Sequence, residues 1–303
     1  MDDRMNDKSA LSKKASLLHL NALSLADGMR SGAFRSLYKG QGLDFNGVRE
    51  YLHGDDVRAI DWNVTARMGK PFVKVFDEER ELDVFLILDT SLSMRFTSGK
   101  VSRIEKALEC ASLLTLASLR NASPVGAVLF DSEIHFSFAP EYGRDHAMLL
   151  LSRFDKFAGA GGPPYQAKEQ GSCMGNALNG AMKLLKKRTL VMIFSDFRMQ
   201  GYFDAFGRLC QKNDVIAVRL CDDLDQKLPS AGTLLFNDME SGHRTFLPTS
   251  SRAFKSAWLA DKQQGIALWK RECVSRGGIP LVLSIEKDSF AQLQAFFSAR
   301  KGL

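Results

Sequence analysis

From residue 83 onward the chain alternates between short, wholly apolar runs and longer stretches whose apolar residues recur every three or four positions. The runs at residues 84–88, 190–194 and 215–220 have strand length, the pattern of strands buried on both faces. A further strand is expected at 279–285. Helical spacing is found at 103–119, 145–157 and 202–210, and again at Ala177, Leu178, Ala181, Met182 and Leu185. Residues 252–276 and 290–299 complete the predicted helices. Residues 124–130 and 134–138 predict a strand pair around Asp131-Ser132, and 233–247 a hairpin turning at Glu240-Ser241-Gly242. Strands separated by helices imply an α/β fold. The expected architecture is a doubly wound, mainly parallel sheet covered on both faces, with a C-terminal hairpin and helices.

The first 82 residues differ from this rhythm. Residues 15–25 are amphipathic and are followed by Gly28 and Gly32, so 1–35 is expected to be an N-terminal amphipathic helical extension. In 36–82, Gly40, Gly42, Gly47 and Gly54 break the chain into short pieces rich in Asp, Arg and aromatics. This segment is expected to pack on the core formed by 83–303. The 303 residues are 45% hydrophobic and 25% charged, which excludes collagen-like, disulfide-scaffold and wholly disordered classes. The net charge of +6 is spread along the chain, a weak argument for nucleic acid. No stretch resembles a signal-peptide core or approaches the ~20 apolar residues of a membrane span, so a cytoplasmic protein is expected. Cys110, Cys173, Cys210, Cys221 and Cys273 are scattered and never form C-x-x-C, and no histidine pair has metal-ligand spacing.

Candidate chemistry begins where the first buried run ends, at Asp89-Thr90-Ser91-Leu92-Ser93-Met94. In open α/β sheets ligands bind outside the carboxyl ends of the strands. One carboxylate and two hydroxyls in a single turn are hard oxygen donors of the kind Mg²⁺ takes. Asp and Ser are also ordinary turn and cap residues, which is the plainer reading of this motif. Two features support a site: Ser195-Asp196-Phe197 closes a second apolar run, and Gly171-Ser172-Cys173-Met174-Gly175-Asn176-Ala177-Leu178 places a hydroxyl before a helix between the two runs. This order resembles the von Willebrand factor A fold and its metal-ion-dependent adhesion site. The resemblance implies that Ser91 and Ser93 bind one Mg²⁺ or Mn²⁺ directly. Asp89 and Asp196 would act largely through water and hydrogen bonds, and Ser172 stands where that family usually has Thr.

The segment from Leu43-Asp44-Phe45-Asn46-Gly47-Val48-Arg49-Glu50-Tyr51 to Asp55-Asp56-Val57-Arg58-Ala59-Ile60-Asp61-Trp62, continuing to Thr65-Ala66-Arg67, is similar to the signature of the bacterial domain of unknown function 58 family. The likeness continues through Leu228-Pro229 and the hairpin, covering roughly residues 35–300. Genes of that family typically neighbour MoxR-type AAA+ ATPases, so the resemblance implies such an ATPase and a client protein as partners. Within the signature, Arg49, Arg58 and Arg67 alternate with Glu50, Asp55, Asp56 and Asp61. One reading is an ion-pair network with Trp62 and Tyr51 as packing anchors; the other is a partner-binding face.

Catalytic signals are poor. Gly171-Ser172-Cys173-Met174-Gly175 has nucleophile-elbow spacing but does not follow an apolar strand. Residues 159–162 are glycine-rich without a phosphate-binding motif. Lys183, Lys186, Lys187 and Arg188 read as a solvated helix end. The sequence therefore favours a non-enzymatic, metal-dependent interaction module. A metal-assisted hydrolase and a structural domain with a vestigial site are the alternatives.

Overall fold

The computed structural model describes residues 44–77, 83–95, 97, 99–158, 174–222, 225, 228, 230–237 and 244–299. The helix expected within 1–35, the turn at Glu240-Ser241-Gly242 and Ser172 lie outside the described residues. The chain divides into two compact units, one holding residues 44–77 and the other 83–299.

In the first unit, β1 (Asp44–Glu50) pairs antiparallel with β2 (Phe72–Asp77), with a register shift between Phe45 and Gly47. A 3₁₀ turn (Val57–Ala59) and α1 (Trp62–Met68) connect them. Asp61 starts α1 by accepting from the Asn63 and Val64 amides at 3.0 and 3.2 Å, and Gly69 ends it at φ +70°, where a side chain would be strained. Arg49 grips Asp55 bidentately at 2.7 and 2.6 Å. Asp56 instead caps the 3₁₀ turn through the Arg58 amide, and Lys74 lies 3.9 Å from Asp61. The carboxylates of this segment thus divide between local caps and ion pairs, Glu50 pairing with Lys70 at 3.0 Å, and among the described residues Arg58 and Asp61 are not paired with each other. Trp62, expected as a packing anchor, is 70% exposed.

The second unit is built on β3 (Val84–Asp89), β4 (Val125–Phe130), β5 (Ile134–Glu141), β6 (Leu190–Ser195), β7 (Asp214–Cys221) and β10 (Ile279–Ser284), in the spatial order β10-β7-β6-β3-β4-β5. All neighbours are parallel except β4 and β5. This fits the von Willebrand factor A-like architecture expected. The helices are α2 (Leu92–Arg95), α3 (Arg103–Arg120), α4 (Arg144–Ala158), α5 (Met174–Leu184), α6 (Phe203–Lys212), α7 (Arg252–Ser275) and α8 (Ser289–Ala299). The antiparallel hairpin of β8 (Thr233–Asn237) and β9 (Arg244–Pro248) precedes α7. These bounds follow the predicted elements closely.

Strand pleating divides the core in two. Val84, Leu86 and Leu88 face a layer that includes Ala107, Cys110, Ala111 and Leu114 of α3 with Leu293 and Phe297 of α8. Phe85 and Ile87 face Met174 and Leu178 of α5, Phe206 of α6 and Trp269 of α7. Every residue of β3, β4 and β6 is buried, which explains their uninterrupted apolar runs. A Cβ at Gly126 would come 2.6 Å from the Phe138 carbonyl oxygen, so the irregular β4–β5 pairing requires glycine there. The basic run after α5 differs from expectation: the helix stops at Leu184. Lys187 pairs with Asp83 at 3.0 Å and Arg188 with Asp214 at 2.6 Å, tying the amino ends of β3 and β7.

Candidate functional site

The strand order reverses between β3 and β6, because the chain runs from β3 outward to β5 and then returns to β6 on the opposite side. That is the crevice where open α/β sheets bind ligands. Asp89 ends β3 and is fully buried. Its Oδ1 accepts from the Ser91 amide at 2.9 Å and its Oδ2 from the Ser195 hydroxyl at 2.6 Å. Ser195 is brought alongside because Leu88 pairs with Phe194 one residue earlier. The Ser195 hydroxyl also accepts from the Phe197 amide at 3.0 Å, so one oxygen joins the ends of the two central strands.

Asp196 follows and is 2% exposed. Its Oδ1 accepts from the Arg198 amide at 3.2 Å. Its buried Oδ2 has no hydrogen-bond donor; the Arg198 Nε lies 3.4 Å away, close enough for an ion pair but without hydrogen-bond geometry. Phe197, between them, has φ +51°, a conformation costing about 1–2 kcal/mol for a non-glycine residue. Its ring packs 5.0 Å from Trp269 and 5.7 Å from Tyr202, which offsets that strain. Ser91 and Ser93 are partly exposed, with their hydroxyls 3.2 Å apart. Thr90 is buried and bonds the Phe130 carbonyl through both its amide and its hydroxyl, anchoring the turn to β4.

Burial, reinforced by the nearby Asp196 charge, pushes the Asp89 carboxyl up to about 7 despite the hydrogen bonds from Ser195 and Ser91. The edge therefore holds a buried carboxyl pushed up by burial and by the nearby Asp196 charge, one buried oxygen of Asp196 without a hydrogen-bond donor, and two accessible hydroxyls. This donor set fits a small, hard divalent cation. Among the described residues no group of three or more His, Cys, Asp or Glu side chains offers a conventional metal site, so any ion here would rely on hydroxyls and water. The structure brings Asp89, Ser91, Ser93 and Asp196 to one sheet edge, while Ser172 falls outside the described residues.

A second layer of residues supports this edge and carries no local signal in the sequence. Arg103 is 5% exposed, and its guanidinium donates to the Ser93 carbonyl at 3.3 Å and to Asp225 at 2.8 Å. Asp225 also holds Arg198 at 2.7 Å. Burial opposes the Asp225 charge, yet Arg198 and Arg103 outweigh it and hold the carboxyl below its ordinary value. Arg103 and Asp225 are 122 residues apart in the chain, so no short-range pattern announces the pair. On the neighbouring β4 end, His135 bonds Asp131 at 2.7 Å, and Asp131 also accepts from the Glu133 amide. That pair staples the β4–β5 turn.

An α/β domain with this switch-point edge is the class the fold defines. Residues 47–265 match the family described as Protein of unknown function DUF58, and the chain belongs to that family. The uncharacterized protein Rv1480 of Mycobacterium tuberculosis and Mb1516 of Mycobacterium bovis are each 27% identical over 300 residues, covering 97% of this chain and 91% of the relative. Among solved structures, a conserved hypothetical protein BatB from Bacteroides thetaiotaomicron is 15% identical with a TM-score of 0.43, covering 73% of this chain and 100% of its own. An aerotolerance-related membrane protein from Bacteroides fragilis is 17% identical with a TM-score of 0.44, covering 73% and 98%. In the present chain, no helix among the described residues is long and apolar enough to cross a membrane.

Proposed function

We propose that this chain is a non-enzymatic, metal-dependent protein-interaction module that works with a MoxR-type AAA+ ATPase on a client protein. Ser91 and Ser93 would hold one Mg²⁺ or Mn²⁺, with Asp89 and Asp196 acting largely through water. Ser172 is the expected fifth contributor. The bound ion would supply a Lewis-acidic point of attachment, completed by a carboxylate from the partner. The observation carrying this reading is the buried Asp196 oxygen without a donor, at the same edge as a second buried carboxyl and two accessible hydroxyls. A buried carboxylate oxygen with no hydrogen bond and only the Arg198 guanidinium 3.4 Å away is incompletely compensated, and a bound cation would complete it. The ATPase partnership rests on the family resemblance.

Thermal melting with and without Mg²⁺ tests the site. At ten times Kd, linkage adds about 1.4 kcal/mol to wild type, or about 3–6 °C for a domain of this size. Asp196→Ala and Asp89→Ala should gain nothing from the ion. Pull-down of the co-encoded ATPase and client should show the same metal dependence. Equal recovery in EDTA, by wild type and Asp89→Ala alike, rules out a metal bridge.

A further inference from the structure

Beside the candidate ion site, the end of β7, the side of α7 and the segments at Arg198 and Asp225 line an open pocket of about 160 Å³ formed by Arg198, Arg219, Cys221, Asp225, Lys262 and Ile266. Three cations here meet one carboxylate. Burial raises the Cys221 thiol, which keeps it neutral. Asp225 is shared between Arg198 and Arg103, so its charge is already committed. Arg219 lies 5.6 Å over the Trp269 ring and Lys262 4.6 Å over Trp258. A ring face holds a cation in place without cancelling its charge. Among the described residues neither Arg219 nor Lys262 is ion-paired with a carboxylate.

We propose that this cavity receives an acidic side chain of the partner polypeptide, next to the carboxylate that would complete the ion. The inference rests on the interaction-module reading and names the partner's chemistry: a segment carrying clustered Asp or Glu residues. Two observations favour that occupant. Arg198 reaches Asp196 at 3.4 Å and Asp225 at 2.7 Å, so one residue spans the ion site and the cavity. Arg219 is the register partner of Ser195, one strand from the site. The volume has room for a carboxylate side chain with accompanying water. It falls short of the roughly 300–1,000 Å³ typical of small-molecule pockets.

The test is fluorescence anisotropy of a labelled hexaglutamate peptide with the full chain, first in EDTA. Wild type should bind, and Lys262→Glu and Arg219→Gln should each weaken binding on the order of tenfold, the loss expected for one charge-assisted hydrogen bond. Lys270→Glu, on the same helix outside the cavity, makes an equal charge change and should have little effect. Circular dichroism melting of each variant separates lost binding from lost fold, and Lys262→Glu alters a partly exposed residue. Equal weakening by Lys262→Glu and Lys270→Glu would show only diffuse attraction and overturn the proposal. So would absence of wild-type binding in EDTA, or uptake of inorganic phosphate without the peptide. The two readings fail differently. If the cavity is right and the ion site wrong, Mg²⁺ adds nothing to wild-type affinity. If the ion site is right and the cavity wrong, binding needs Mg²⁺ and ignores Lys262→Glu.

Discussion

The carboxyl edge of the sheet and the 44–77 segment are both dense in charge, yet they handle it in opposite ways. At the sheet edge Asp89, Asp196 and Arg103 are buried, and Asp89 and Arg103 each take a partner more than a hundred residues away. In 44–77, Arg58, Asp56 and Arg67 are exposed, and Asp55, Asp56 and Asp61 take their hydrogen bonds from residues two to six positions away, with Lys70 and Lys74 adding ion pairs to Glu50 and Asp61. The apolar side chains invert as well. Residues of β3, β4 and β6 are sealed in the core, whereas Leu52, Val57, Trp62 and Met68 are all more than half exposed, at 64, 61, 70 and 62%. The 44–77 unit thus keeps large apolar side chains at its surface, while its charged side chains cap and pair within it. That pattern suits a surface kept for recognition. The sheet edge, by contrast, stores unfavourable electrostatics inside a rigid frame, the usual condition of a binding site.

The strongest challenge to this contrast is a matched pair of arginine truncations. Arg103 donates to Asp225 and lies 4.0 Å from the buried Asp222, so Arg103→Ala leaves both with less compensation and should cost on the order of 3–5 kcal/mol in chemical denaturation. Arg49→Ala breaks an accessible fork pair and should barely move the midpoint. Comparable losses would erase the distinction between the two regions.

A smaller effect should appear with pH. Because the folded Asp89 carboxyl sits near 7, above its unfolded value of 3.8, the folded state holds that proton more tightly. Stability from this group is therefore fully present below about 4 and is lost as pH rises through about 7. Asp89→Asn, melted in EDTA between pH 5 and 8, should flatten that decline. An unchanged slope would remove Asp89 as its source.

The smallest expected change in stability is that of Trp62→Ser, within about 0.5 kcal/mol for an exposed side chain. Its consequence should fall on recovery of the ATPase or client in pull-downs. A large drop in melting temperature with binding retained would return Trp62 to a packing role.

Much of the architecture is legible in the apolar pattern alone. The runs at 84–88 and 190–194 are continuous because helices cover both faces of β3 and β6, and that burial imposes a pattern visible in one dimension. Asp89, Ser91, Ser93 and Asp196 are legible for the same reason: each sits where such a run stops. Ser195 carries a fainter signal, lying between a buried run and a carboxylate, and its partner Asp89 is 106 residues away. Arg103 carries a misleading one, since a basic residue opening a helix ordinarily points to solvent. In the 44–77 segment, alternating charges suggest a network; Arg49–Asp55 and Lys70–Glu50 do pair, while Asp56 and Asp61 serve as caps because amides two or three residues away are the nearest donors.

By itself, then, the sequence determined the order of strands and helices, the family, and the residues that terminate the two central strands. These depend on local periodicity and on where it breaks. Only the tertiary structure decided that β6 returns beside β3, so that Ser195 bonds Asp89 while burial, with Asp196 nearby, pushes the Asp89 carboxyl up. It also decided that Arg198, Arg219 and Lys262, from three separate parts of the chain, surround one small cavity. Charge in a protein acts through distance and burial, and neither is written along the chain.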